Sequence, residues 1–233
     1  MSVKSKAWEW NIVTVENRWK TPAQESYWLI NRWKSQNKNS FLDLGVGLGR
    51  HAIQFAKAGF NVSGFDLSKE AIQKTAEWAK EESLAIELKV GDMLELPYAD
   101  SSFDCLLAYH VISHTDTEGM RKIASELHRV LKADGEFYLS LGSKKSWGFQ
   151  QDWPKVDENT RERMEEGSEY RVPHFYADMD LIFDIFKDFE IISIEERQEY
   201  FRQPEYTRKN EYGMIQGGWH YYVLGKKSEK EPA

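Results

Sequence analysis

The chain has 233 residues, enough for one domain of ordinary size, and its 41% apolar and 30% charged residues exclude a disordered, collagen-like or disulfide-rich protein. The 31 basic and 38 acidic residues give a net charge of −7, which argues against nucleic acid as the main partner. No apolar run approaches the roughly 20 residues of a membrane span, and none resembles a secretory signal. We therefore expect a cytoplasmic protein with no membrane partner.

The first two thirds of the chain predict strands and helices that alternate. Apolar strands are expected at residues 40–44, 61–65, 85–90, 103–109 and 136–141. Helical spacing predicts helices at residues 22–36, 50–58, 68–82 and 116–132. Such alternation predicts βαβ units with right-handed crossovers, and hence an α/β fold with a doubly wound parallel sheet that is buried on both faces.

The pattern changes after Gly142. Residues 143–172 are polar, charged and rich in tryptophan, with no clear period. A helix is expected at 177–189, and strands are expected at 190–196 and 219–225. The long stretch between those two strands is rich in aromatic and charged residues, and long loops inside compact domains are usually functional or disordered.

A glycine-rich turn, Phe41-Leu-Asp-Leu-Gly-Val-Gly-Leu-Gly-Arg50, joins the first strand to the next helix. Glycines let the backbone turn tightly and approach a ligand, while the helix directs its free N–H groups toward that ligand. The dinucleotide pattern G-x-G-x-x-G/A is not matched, because Arg50 stands at its last position. A carboxylate at Asp43 would repel pyrophosphate and attract an ammonium or sulfonium group.

Two further acidic residues follow the next two strands. Asp66 ends the second strand, where a carboxylate can accept hydrogen bonds from both ribose hydroxyls. Asp92 follows the third strand, where it can accept from an adenine amino group while Met93 packs on the ring. Ligands of doubly wound sheets bind at the carboxyl ends of the strands, so Asp43, Asp66 and Asp92 are expected to face one crevice. Together they indicate an adenosine with a positively charged amino-acid tail, which describes S-adenosylmethionine.

Residues 38–142 resemble the class I S-adenosylmethionine-dependent methyltransferases, of the type that acts on small molecules. The resemblance rests on FLDLGVGLGRHA, GFDLS, VGDMLELPYADSSFDCLLAYHVISH and RVLKADGEFYLSL. It implies a Rossmann-like three-layer sandwich with a seven-stranded, mostly parallel sheet whose last strand is antiparallel, and strands 190–196 and 219–225 suit the sixth and seventh positions. It further implies a set of cofactor contacts: Asp43, Gly45, Val46, Gly47 and Gly49 for the methionine moiety, Asp66 and Leu67 for the ribose, Asp92 and Met93 for the adenine, and Tyr109 beside the cofactor.

His110 and His114 follow the fourth strand, where this family places residues near the transferred methyl group. Both are candidate general bases, because an unperturbed imidazole titrates at about 6.5. A base is needed only if the acceptor must lose a proton, and a purely structural histidine is the alternative at each position. Two histidines four residues apart can also bind a metal ion, but no third ligand is evident nearby, so no metal site is expected.

The acceptor site is expected outside the shared sheet. The loop between the sixth and seventh strands starts and ends on the cofactor side, so it should cover the active site. His174, Trp219 and His220 are the expected substrate contacts, with Tyr200, Phe201 and Arg202 brought close by the same loop. We therefore expect one methyltransferase domain over residues 1–233, with these parts: an N-terminal helical cap at 1–37, the cofactor-binding core at 38–142, and substrate-side insertions at 143–175 and 199–218.

Three functions remain open on the sequence alone. The first is transfer of a methyl group from S-adenosylmethionine to a small-molecule acceptor by in-line displacement. The second is a catalytically silent protein that binds S-adenosylmethionine or a nucleoside for regulation or interaction. The third is an NAD-dependent oxidoreductase of Rossmann type. The sequence does not define the oligomeric state.

Overall fold

The computed structural model describes residues 17–199, 208–209, 215–216 and 218–228. Within these ranges the helices are α1 (Asn17–Lys20), α2 (Gln24–Ser35), α3 (Arg50–Lys57), α4 (Lys69–Glu81), α5 (Thr117–Val130) and α6 (Met179–Ile185). The strands are β1 (Ser40–Leu44), β2 (Asn61–Asp66), β3 (Ile86–Val90), β4 (Phe103–Ala108), β5 (Leu131–Ser143), β6 (Thr160–Glu162), β7 (Pro173–Ala177), β8 (Phe189–Glu199), β9 (Arg208–Lys209), β10 (Ile215–Gln216) and β11 (Gly218–Lys227).

The main sheet has the strand order β3-β2-β1-β4-β5-β11-β8. The pairs along β3-β2-β1-β4-β5 are all parallel, whereas β11 runs antiparallel to both β5 and β8. This is the predicted seven-stranded sheet, mostly parallel, with the last strand antiparallel. The prediction of a doubly wound α/β fold is confirmed.

Helices cover both faces of the sheet because neighbouring strand residues point in opposite directions. Phe41 of β1 lies in a buried cluster with Trp33 of α2 and Phe55 of α3. Leu42, the next residue, lies in the other buried cluster, which includes Ile123 of α5. The result is the expected three-layer sandwich. Among the described residues, no helix has both the length and the apolar character needed to cross a bilayer.

The region after β5 differs from the sequence expectation. Strands β6 and β7 form in a stretch without a clear period, and β7 pairs with the end of β5 through only two residue pairs. Helix α6 is shorter than predicted, because the side chain of Asp178 caps it by accepting a hydrogen bond from the N–H of Leu181 (3.0 Å). Strand β7 therefore occupies the residues immediately before that cap.

Helix α2 is fixed to the sheet by one buried carboxylate. Glu136 of β5 is 3% exposed and accepts hydrogen bonds from Arg32 Nε and Nη2 (2.8 Å each), Trp33 Nε1 (2.8 Å) and Gln36 Nε2 (3.1 Å). A bidentate guanidinium–carboxylate pair is among the stronger side-chain interactions. The N-terminal helix is thus part of the core rather than only a cap over the site.

Candidate active site

A cavity of about 840 Å³ opens at the carboxyl ends of the parallel strands. We call it the central cavity. Its volume lies in the range of pockets that enclose small molecules and cofactors. The turn after β1 and the ends of β2, β3 and β4 line one part of it. Residues 19–23, the end of β5, segment 146–176, the end of β8 and the start of β11 line the other part.

The glycine turn has a backbone that other residues would adopt only with strain. Gly45 has a φ of 74°, and a Cβ at this position would lie 2.3 Å from Val111 Cγ2. Gly49 has a φ of 89°, and a Cβ there would lie 2.8 Å from Thr75 Cγ2. Both conditions favour glycine. The turn therefore keeps its backbone close to the cavity wall, as the sequence predicts.

Asp66 is the carboxylate most firmly held at the cavity. Its Oδ2 accepts a hydrogen bond from the N–H of Gly47 (2.9 Å), and its Oδ1 accepts from the N–H of Ser68 (2.8 Å). Burial raises the pKa of Asp66, and the N–H groups of Ser68 and Gly47 partly oppose that rise. Each carboxylate oxygen can accept a further hydrogen bond, so the fixed carboxylate can still bind hydroxyl donors in the cavity.

The predicted ribose and adenine contacts come together at this end of the cavity. Asp66, Leu67, Asp92 and Met93 all line it. The Asp92 side chain is oriented by its Oδ1, which accepts a hydrogen bond from the N–H of Leu94 (3.0 Å). Asp92 can therefore present its remaining lone pairs to an amino group, beside the buried side chain of Met93.

The predicted methionine contacts divide into two groups. Gly45, Val46 and Gly47 line the central cavity, whereas Asp43 and Gly49 are not among its lining residues. Asp43 is 1% exposed, and its Oδ2 accepts a hydrogen bond from the N–H of Ala52 (2.9 Å) in α3. Burial raises the pKa of Asp43 to about 7, although the Ala52 N–H and the charge of Arg50 oppose the rise. Asp43 therefore links the turn to α3 and does not face the cavity.

His110 lies at the cavity in a group that we call the His110 cluster, formed by His110, Glu199 and His220. His110 Nε2 is 3.3 Å from Glu199 Oε2, and His220 Nδ1 is 3.8 Å from the same oxygen. His110 has a φ of 56°, and its N–H donates to Ser140 Oγ (2.7 Å). Burial first, and then the proximity of His110, lower the pKa of His220 to about 3.

His114 belongs to a second group, the His114 cluster, formed by His114, Glu169 and His174. His114 Nε2 is 3.8 Å from Glu169 Oε1, and His174 Nε2 is 3.5 Å from Glu169 Oε2. Burial is the main cause that lowers the pKa of His114 to about 3. Glu169 also forms an ion pair with Arg163, so its charge is already compensated.

Tyr109 and His51 connect the cavity to the N-terminal helices. The Tyr109 hydroxyl is 3.4 Å from Glu25 Oε2, and its ring lies 5.5 Å from that of His51. His51 Nε2 accepts a hydrogen bond from the N–H of Ala23 (3.0 Å). Burial lowers the pKa of His51 well below its usual value, so this histidine is neutral and structural.

The predicted acceptor contacts lie only partly at the cavity. His174 and His220 line it, but Trp219 is not among the lining residues, and Trp147 and Trp153 line it instead. The N–H of Trp219 donates to Ser146 Oγ (2.8 Å). The predicted contacts Tyr200, Phe201 and Arg202 lie outside the described residues. Sequence reasoning missed Glu169 and Glu199, because Glu169 meets His114, and Glu199 meets His110 and His220, only through long-range folding.

The core of this chain is similar to known methyltransferase domains. Residues 41–135 match the model of a family described as Methyltransferase domain. The uncharacterized methyltransferase YcgJ of Bacillus subtilis is 30% identical over 112 residues, which cover 48% of this chain and 44% of that protein. Sarcosine/dimethylglycine N-methyltransferase of Aphanothece halophytica is 34% identical over 114 residues, which cover 48% of this chain and 40% of that protein. The chain thus spans less than half the length of these two curated relatives.

Solved structures show the same fold over a larger share of the chain. A structure titled as a SAM-dependent methyltransferase from Methanosarcina mazei has a TM-score of 0.69 and 21% identity, and it covers 87% of this chain and 98% of that chain. Together with the family model, this confirms the resemblance predicted from the motifs. The match over residues 41–135 and the shared fold point to S-adenosylmethionine as the cofactor.

Proposed function

We propose that this protein transfers the methyl group of S-adenosylmethionine to a small-molecule acceptor by in-line displacement. One observation carries the proposal: a single cavity is lined both by the predicted nucleoside contacts, Asp66 and Asp92, and by an aromatic and histidine-rich wall that includes Trp147 and His174. A cofactor and a small acceptor can therefore meet in one enclosed space.

The residues at the turn fit the proposed cofactor. Gly45 lets the turn backbone pack directly against Val111 beside the cavity, and the Asp66 carboxylate keeps acceptor capacity toward the cavity. S-adenosylmethionine supplies an already activated methyl group on a cationic sulfur. The work left to the protein is to hold both reactants in line and to exclude water, and proximity of this kind supplies a large part of the rate enhancement. Gly45, Val46 and Gly47 would face the methionine moiety, with Asp43 bracing the turn from behind.

Proton transfer is the second task if the acceptor is an alcohol, a phenol or a protonated amine. His110 and His114 both line the cavity, and His110 Nε2 lies 3.3 Å from Glu199 Oε2. Replacing each by glutamine distinguishes them. A general base acts in its deprotonated form, so its loss lowers kcat most at a pH where the histidine is neutral, and least for acceptors that need no deprotonation.

The proposed acceptor class is a small molecule rather than a macromolecule. Matched relatives are named for sarcosine and dimethylglycine, for norajmaline and for sterols, although one is named for a lysine of EEF1A. The cavity of about 840 Å³, with Trp147 and Trp153 in its wall, has the size and the aromatic lining that suit small acceptors. We further propose that residues 38–142 form the cofactor-binding core, while 1–37, 143–175 and 199–218 build the acceptor side of one domain.

The direct test is methyl transfer from isotopically labelled S-adenosylmethionine. The protein is incubated with a metabolite extract and with a panel of thiols, phenols and amines, and labelled products are identified by mass spectrometry. We expect a labelled small product whose formation is lost in Asp66→Ala. Label that appears only in added proteins would refute the acceptor class. No transfer to any acceptor, together with intact cofactor binding, would favour the silent binding protein.

A further inference from the structure

The His110 cluster gathers three potential metal ligands from distant parts of the chain. His110 follows β4, Glu199 ends β8 and His220 lies in β11. Their donor atoms all lie within 4.8 Å of one another, and the side chains are about a quarter exposed, toward the central cavity. Two imidazoles and one carboxylate are a donor set that suits zinc and related divalent transition metals.

The spacing suits an ion better than direct hydrogen bonds. Glu199 Oε2 is 3.3 Å from His110 Nε2 and 3.8 Å from His220 Nδ1. Good N–H···O hydrogen bonds span about 2.7–3.2 Å, so the second contact is too long to be one. Two ligands of a tetrahedral ion with bonds of about 2.0–2.1 Å lie roughly 3.3–3.4 Å apart. Only a small side-chain movement would bring all three donors onto one ion.

His220 supplies an independent observation. Its Nδ1 is a buried nitrogen with no hydrogen-bond partner among the described residues. Buried polar atoms are nearly always paired, and an exception calls for a specific explanation such as a bound ion or water. This nitrogen faces the carboxylate oxygen that also faces His110, so an ion between them would satisfy it.

Supporting contacts hold the other two ligands in place. Ser140 Oγ lies 3.3 Å from His110 Nδ1, which leaves Nε2 directed at Glu199. The Tyr222 hydroxyl donates to Glu199 Oε1, which leaves Oε2 directed at both histidines. Metal-binding histidines and carboxylates in proteins usually have such outer partners. The left-handed φ of 56° at His110 shows that the surrounding structure enforces this placement.

The His114 cluster has the same residue types but a different electrostatic environment. Arg163 forms an ion pair with Glu169 Oε2, the oxygen that faces His174. A divalent ion there would have to displace or repel that guanidinium. In the His110 cluster, no lysine or arginine of the described residues forms an ion pair with Glu199, and the nearby Arg197, whose charge helps to lower the pKa of Glu199, is paired with Glu25 (2.5 Å). The His114 cluster is therefore a matched control within the same cavity.

We propose that His110, Glu199 and His220 bind one zinc-type divalent ion at the acceptor side of the central cavity. Three protein ligands leave one position of a tetrahedral ion open, and that position takes water or an oxygen, nitrogen or sulfur donor of a molecule in the cavity. His110 then acts as a ligand and not as a general base. Metal binding is independent of methyl transfer and is measured without cofactor.

The test uses the full chain, stripped with a chelator and then titrated with zinc. Zinc retained after gel filtration is measured by elemental analysis, and affinity is measured by calorimetry. The variants are His220→Gln and Glu199→Gln, with His174→Gln as the matched control from the His114 cluster. Tyr222→Phe tests the supporting contact. Circular dichroism and the thermal unfolding midpoint confirm that each variant is folded. If His220→Gln does not fold, the zinc content of the Glu199→Gln protein alone tests the proposal.

The wild type is expected to retain one equivalent of zinc that is lost in both His110-cluster variants and kept in His174→Gln. Tyr222→Phe should weaken zinc binding by about 10- to 100-fold, the usual cost of removing an outer partner. Substituted cobalt should give the visible absorption of a tetrahedral site. A wild type without stoichiometric zinc would overturn the proposal, as would folded His220→Gln and Glu199→Gln proteins that bind zinc as tightly as the wild type. Loss of zinc in His174→Gln, with zinc retained in His220→Gln and Glu199→Gln, would also overturn the proposal.

Discussion

Replacing Asp66 by asparagine tests how the cavity holds its nucleoside. The two carboxylate oxygens accept from the N–H groups of Gly47 (2.9 Å) and Ser68 (2.8 Å), and asparagine can present its single oxygen to only one of them. A hydrogen bond to an ionised group contributes about 1.5–3 kcal/mol. The lost internal bond lowers stability, whereas the weakened charge-assisted bonds to the ribose should cost about 2–4 kcal/mol of binding free energy, or roughly 30- to 1,000-fold in Kd.

The assay is isothermal titration of S-adenosylhomocysteine into the wild type and the variant. Asp100→Asn is the control, because Asp100 is a carboxylate that is 78% exposed and pairs with Arg129 away from the cavity. The control should bind with unchanged Kd. An Asp66→Asn protein that is folded and binds S-adenosylhomocysteine within about threefold of the wild type would refute the role given to this carboxylate.

Three further predictions concern the turn, the N-terminal helix and the pH dependence of stability. Gly45→Ala forces a Cβ to within 2.3 Å of Val111 at a φ of 74°. Urea denaturation should therefore show a free energy of unfolding lower by about 2–4 kcal/mol, and calorimetry should show a loss of cofactor binding. Unchanged stability and binding would contradict the turn geometry. Glu136→Leu leaves the buried Trp33 N–H without its acceptor and should lower the free energy of unfolding by about 2–4 kcal/mol. If this free energy falls less than it does when an exposed glutamate is replaced by leucine, the anchoring role of Glu136 is contradicted. Burial raises the pKa of Asp43 to about 7, so the protonated side chain stabilises the fold fully below the unfolded pKa of about 4, and this stabilisation is lost as the pH rises toward 7. The free energy of unfolding of Asp43→Asn, relative to the wild type, should therefore increase from about pH 4 to about pH 7. A difference that does not change with pH would contradict the pKa shift.

The sheet could be predicted from the sequence because its signals are local. Apolar strands, a capping residue such as Ser68 and the glycine turn each act within a few residues, and the structure places them as predicted, with the Ser68 hydroxyl accepting from the N–H of Ala71 (3.3 Å). Strand β7 could not be predicted in the same way. It is a short strand that pairs with the end of β5 through two residue pairs and with β6 through three, so its formation depends on contacts between distant segments.

The candidate site also combines residues that local sequence signals reveal with residues that only the folded structure reveals. Asp66 and Asp92 could be found because each follows its own strand, and strand ends meet at one edge of the sheet. Glu199 could not be found, since no histidine lies within several residues of it, and Glu169 could not be linked to His114, which lies 55 residues earlier in the chain. The sequence therefore gave no reason to expect a third ligand near His110. The antiparallel pairing of β8 with β11 is what brings Glu199 to His220.

The central claim is that carboxylates at successive strand ends bind the nucleoside of S-adenosylmethionine in one crevice. A crystal structure of the protein with S-adenosylhomocysteine tests it most directly. The account predicts both ribose hydroxyls within about 3 Å of the Asp66 carboxylate, with the adenine amino group at Asp92 and the ring against Met93. A complex in which the ribose lies away from Asp66, or in which the ligand occupies a different part of the molecule, would contradict it.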